Sequence, residues 1–128
     1  MSFAHKLLDQ WSSAGRTIEA VNEYSGDAQT SLEIAVPDSA SDQQADLTLD
    51  VSTIKAIYIL SDQDVTLETN DGTTPDDTIS LKAGVPLIYH ENGYFANPFS
   101  QDITALYLTN SSGAAATVQL EVVYDSTP

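Results

Sequence analysis

The sequence has no cysteine, so disulfides, thiolate zinc sites and cysteine nucleophiles are excluded. It has only four basic residues, Lys6, Arg16, Lys55 and Lys82, against nineteen Asp and Glu, a formal net charge of −15. Such a surface repels phosphate backbones and anionic lipids, which argues against nucleic-acid and membrane-surface partners. So few cations also leave little for salt bridges to contribute to stability. No apolar run approaches membrane-spanning length, and residues 1–14 hold Lys6 but no uninterrupted apolar core of a secretory signal. Synthesis in the cytoplasm is the expectation that follows.

The catalytic vocabulary is equally thin. There is no G-x-S-x-G elbow, no P-loop and no G-x-G-x-x-G. The two histidines, His5 and His90, lie far apart in different kinds of segment, whereas a cupin-type metal site gathers several; His90 reads as a rim or interface residue. Asp62, Asp64, Asp71, Asp76 and Asp77 crowd two neighbouring turns. Calcium needs six to eight oxygen ligands and the EF-hand spacing is missing, so these read as turn-forming Asp bonded to backbone amides. No pair of acids stands out for glycosidase work. The chain therefore reads as a non-enzyme, with no cofactor and no metal.

What is present is alternation. One domain is expected from 128 residues. From Arg16 onward polar and apolar residues alternate in short runs: around Ile18, Leu32–Val36, Leu47–Val51, Val65–Leu67, Ile79–Leu81 and Leu87–Tyr89. Ile54–Leu60 is apolar on both faces and reads as a central strand, and Ile103–Thr109 and Thr117–Tyr124 are rich in β-formers. Asn70-Asp71-Gly72, Asn92-Gly93 and the segment Asn110–Gly113 each suit a tight hairpin, because Asn and Gly tolerate positive φ. Strands at this spacing predict an all-β sandwich, a jelly roll of about eight strands, over residues 16–128. The immunoglobulin variant lacks its Cys and Trp signature. Pro37–Ala45 and Glu91–Gln101 read as longer surface loops.

Residues 1–15 differ. Phe3, Leu7 and Trp11 fall at i, i+4 and i+8 with Leu8 beside them, a short helical stripe that Gly15 would stop. This N-terminal arm, helical or extended, reaches about 22 Å as helix or about 50 Å extended. Folding back on its own domain is the alternative. The aromatic loop residues Tyr94, Phe95 and Phe99 suit an end plug of the sandwich, a subunit contact or a sugar-stacking platform. Phe3, Leu7, Leu8, Trp11, Tyr94, Phe95 and Phe99 are the candidate protein-interaction residues.

The stretches RTIEAVNEY, TSLEIAV, LTLDVSTIKAIYILSDQDVTLETND, ISLKAGVPLIYHENG, ITALYLTN and VQLEVVYD resemble small virion proteins of tailed bacteriophages, of the capsid decoration (cement) type with a jelly-roll-like domain. The likeness covers most of residues 16–125, with YILSDQDVTLETNDG its most telling phrase. It implies a protein without catalytic residues that attaches to the exterior of an assembled shell. It further implies a homotrimer that ties neighbouring major capsid subunits together. Alternatives are a glycan-binding module on a tail or fibre, a head–tail neck protein, and a small sandwich hydrolase.

Overall fold

A computed structural model describes residues 2–126. Ten strands follow one another: β1 (Phe3–Ser13), β2 (Arg16–Gly26), β3 (Ala28–Val36), β4 (Gln43–Ala45), β5 (Ile54–Ser61), β6 (Val65–Thr69), β7 (Thr78–Leu81), β8 (Leu87–His90), β9 (Leu106–Thr109) and β10 (Ala116–Tyr124). Eight of them form two four-stranded sheets, β3-β10-β5-β8 and β4-β9-β6-β7. Every pairing is antiparallel, and most are nested: β3 with β10, β4 with β9, β5 with β8, β6 with β7. That nesting is a long hairpin rolled into a double sheet, the jelly roll expected from the alternation.

The core lies between the sheets. Ile57 and Ile59 of β5, Leu67 of β6, Leu106 and Leu108 of β9, and Val118, Leu120 and Val122 of β10 are essentially inaccessible to water. They occupy alternate positions, as the period of two requires. The same alternation places Leu47 and Leu49 inside, yet they belong to no ladder: Leu49 makes a single bridge to Ile103, with both backbone bonds at 2.9 Å. The strand expected at Leu47–Val51 stops there because Asp50 caps a short 3-10 turn, Val51–Thr53, its carboxylate accepting from the Ser52 amide at 3.0 Å. Conversely, β4 lies inside the stretch read as loop, too short and polar to announce itself.

Two expected hairpin turns join different sheets. Residues 110–115 connect β9 to β10, which lie in opposite sheets. Buried Asn110 stitches this corner: its Nδ2 donates to the carbonyls of Val36 at 3.0 Å and Ala114 at 2.8 Å, and its Oδ1 accepts from Ser112 N at 3.0 Å. Asn92-Gly93 likewise opens a crossing from β8 toward the second sheet.

The helical reading of the N-terminus is corrected. β1 and β2 form a two-stranded antiparallel hairpin in continuous register from Phe3↔Gly26 to Ser13↔Arg16. Residues at i, i+4 and i+8 share one face of a helix, but they share one face of a strand as well, since four is an even number. A lone short helix is marginal in water, whereas pairing with β2 supplies backbone bonds along eleven residues. Gly15, at φ 80°, turns the hairpin where it was read as ending a helix. The arm is thus residues 3–26, and residue 15 is its tip, not its junction with the body.

Candidate functional site

The arm is seated on the body only near its root. One face carries Phe3, His5 and Leu7 from β1 opposite Gly26, Tyr24 and Asn22 from β2. Tyr24 is buried with Ala56 and Val123 on the outer surface of the β3-β10-β5-β8 sheet, and Leu7 packs against this small cluster. Gly26 sits so close to β10 that an added Cβ would lie 2.2 Å from the Tyr124 carbonyl oxygen. Tyr24 Oη and His90 Nδ1 are hydrogen-bonded at 2.6 Å, with ring centroids 4.9 Å apart. Burial, followed by the Glu91 and Asp9 carboxylates, holds the Tyr24 phenol above its ordinary value. His90 is therefore a rim residue that fastens the arm. His5 bonds Gln29 through Nε2 at 2.8 Å, so the two histidines serve the same root from separate positions.

From Leu8 and Val21 to its turn the arm's side chains are exposed. Trp11 and Ile18 face each other across the strands on one side at 73% and 53% exposure; Leu8 and Val21 do so on the other at 61% and 59%. Four large apolar side chains thus stand in water on a two-stranded ribbon. Charge is partitioned in the same way. Lys6 and Arg16 against Asp9, Glu19 and Glu23 leave the arm at −1, so −14 of the −15 belongs to the rest of the chain. Among the described residues both ion pairs use Lys55, which reaches Glu91 at 3.2 Å and Asp125 at 3.5 Å beside the arm's root.

The loop after β8 splits the expected aromatic cluster. Tyr94 and Phe95 stand in solvent, whereas Phe99 is 2% exposed and belongs to the main core. Phe99 is the end plug and leaves the contact set. Its position is fixed by neighbouring polar bonds: Asn97 Oδ1 accepts from the Phe99 amide at 2.9 Å, and Asp77 accepts from the amide and hydroxyl of Ser100 at 2.8 and 2.9 Å. Of the remaining expected contact residues, Phe3 and Leu7 are half-buried at the root and Leu8 and Trp11 are exposed.

The Asp-rich turns are occupied by donors of the chain itself. Asp62 accepts from Thr117 N, Asp64 from Ala83 N, Asp71 from Thr73 N and Asp76 from the Asn70 amide. No group of three or more His, Asp or Glu gathers at metal-holding distance among the described residues. No helix among them is long and apolar enough to cross a membrane.

Ile18 and Val21 were missed as contact residues because alternation alone reads them as half-buried strand. The available signal was symmetry: two runs of equal length flanking Ala14-Gly15, a two-residue hairpin loop. Comparisons of the chain with protein-family models, with curated proteins and with solved structures gave no match.

Proposed function

We propose that this protein is a virion structural protein that decorates the exterior of a tailed-phage capsid, seating its arm across neighbouring major capsid subunits, as a homotrimer. The observation that carries this reading is the projecting hairpin, with an exposed apolar cross-strand pair on each face and a net charge of −1, on a body of charge −14. A two-stranded ribbon gains little stability alone and leaves both outer edges unpaired. Its eleven-residue strands span roughly 36 Å, enough to bridge from one subunit to the next. Each apolar side chain fully buried there contributes about 1.5–3 kcal/mol before ordering is subtracted. The hairpin is already formed, so that subtraction is smaller than for a disordered tail. Three arms per trimer turn modest contacts into avidity. The body's charge keeps unattached copies soluble. A protein that binds only the assembled shell stabilises it by about 2.7 kcal/mol per site at a hundredfold excess over Kd.

Trp11 is the sole tryptophan and reports directly on this contact. Wild-type protein is expected to co-sediment with assembled capsid shells, with a blue shift of Trp11 emission on binding. The mid-arm variant Leu8→Ser, Val21→Ser is expected to lose co-sedimentation while keeping its β-sheet circular dichroism. Equal co-sedimentation of the variant refutes the arm's role. Sedimentation equilibrium separates a trimer from the larger ring of a neck protein.

A further inference from the structure

A second feature is separate from the arm's tip. Between the arm and the loop after β8 runs an open groove of about 490 Å³. Asp9 and Asn22 come from the body-facing side of the arm, Ile88 and His90 from β8, and Tyr94 and Phe95 from the loop. We propose that this groove binds a neutral carbohydrate, with Tyr94 and Phe95 as stacking faces and Asp9, Asn22 and His90 as the groups that meet hydroxyls.

Tyr94 is 102% exposed and Phe95 80% exposed, so neither ring serves the fold. An aromatic ring that packs on nothing is a face available to a ligand, and the aliphatic face of a sugar ring covers it without needing charge. The polar set matches hydroxyls, which both donate and accept: Asp9 accepts, and the Asn22 amide does both. Neither side chain makes a hydrogen bond within the described residues, so both are free to exchange water for a ligand. Tyr24 Oη and His90 Nδ1 share a hydrogen bond at 2.6 Å, which holds the imidazole in place and leaves Nε2 to meet a hydroxyl. His90 is also held from behind, since a Cβ at Gly93 would lie 2.7 Å from its Cε1. The groove thus has one rigid wall, as ligand sites do, and a size within their usual range.

Charge and shape choose among ligand classes. Asp9, the one charged side chain among the lining residues, repels phosphates, sialic acids and uronic acids. A quaternary ammonium needs rings that surround it. Here the two rings stand open in solvent and enclose nothing. A neutral sugar satisfies both conditions.

The test is saturation-transfer NMR on the full chain with cellotriose, maltotriose and tri-N-acetylchitotriose, and with choline as the cationic control. Transfer to at least one neutral oligosaccharide is expected. Tyr94→Ala, Phe95→Ala should abolish it, and Asp9→Asn should weaken binding about tenfold, the loss of one hydrogen bond to a charged group. The mid-arm variant Leu8→Ser, Val21→Ser, on the face opposite Asp9 and Asn22, should bind sugar normally, which separates this site from capsid docking. No transfer to any of the three sugars overturns the proposal, as does undiminished transfer in the aromatic double variant or binding of choline alone. A changed sedimentation coefficient in the aromatic variant, with no sugar binding by wild type, assigns the platform to a protein contact and overturns it too.

Discussion

Replacing Asn110 by alanine tests how the two sheets are joined. Asn110 is 1% exposed and its amide meets three main-chain carbonyls, those of Val36, Pro37 and Ala114. Two of these have a second partner: Ala40 N donates to Pro37 O at 3.1 Å, and Ser112 Oγ to Ala114 O at 3.0 Å. Val36 O, at the end of the β3–β10 ladder opposite Ala116, also loses the bond made by Asn110, about 0.5–1.5 kcal/mol net. Each of the other lost bonds contributes about 0.5–1.5 kcal/mol net, and Ser112 N recovers part of its share from water because Ser112 is exposed. The expected loss is about 2–4 kcal/mol, a large share of the roughly 5–15 kcal/mol typical of a domain. Asn110→Asp keeps the shape but presents a carboxylate to three carbonyls. It should be worse than alanine at pH 7 and improve as the pH falls and the acid protonates. Urea unfolding followed by far-ultraviolet circular dichroism is the suitable assay, because exposed Trp11 reports on the arm and not on the core. A loss below about 1 kcal/mol for Asn110→Ala, or Asp no worse than Ala at neutral pH, refutes the stitching role.

Other outcomes follow from the same contacts. Gly26→Ala drives a methyl into the Tyr124 carbonyl, an overlap of the kind that destabilises by about 1–3 kcal/mol. The arm root should lift, breaking the Tyr24–His90 bond and speeding tryptic cleavage after Lys6 and Arg16; an unchanged cleavage rate contradicts the seating described. Glu68 is held above the ordinary carboxylate range by burial, then by Asp42 and Asp71. A raised folded value means the charged form opposes folding at neutral pH, and the penalty fades as pH falls through that value. Glu68→Gln should therefore raise the melting temperature at pH 7 and do so less at pH 4; equal effects at both count against it. Asp71 behaves oppositely, since the amides of Thr73 and Thr74 hold it below its ordinary value. Its contribution is present above the unfolded value, so Asp71→Asn should be most harmful near neutrality and lose its effect as acid titrates the carboxylate.

Periodicity was legible from the residues, and direction in space was not. Alternation showed which side of β3 and β6 meets the core, because a strand's side chains point to opposite faces whatever it pairs with. It identified Leu47 and Leu49 as inward even though no ladder forms there. The scarcity of cations foretold that ion pairs would be few, since composition alone bounds their number. Which strand pairs with which required the rolled, nested order, set by contacts between residues as far apart as Ala28 and Tyr124. The spacing of Phe3, Leu7 and Trp11 fits helix and strand alike, and only the register with β2 chose between them. The same holds for the loop after β8: Phe95 and Phe99 are alike in kind, and a few backbone bonds around Asn97 and Ser100 put one in water and the other in the core.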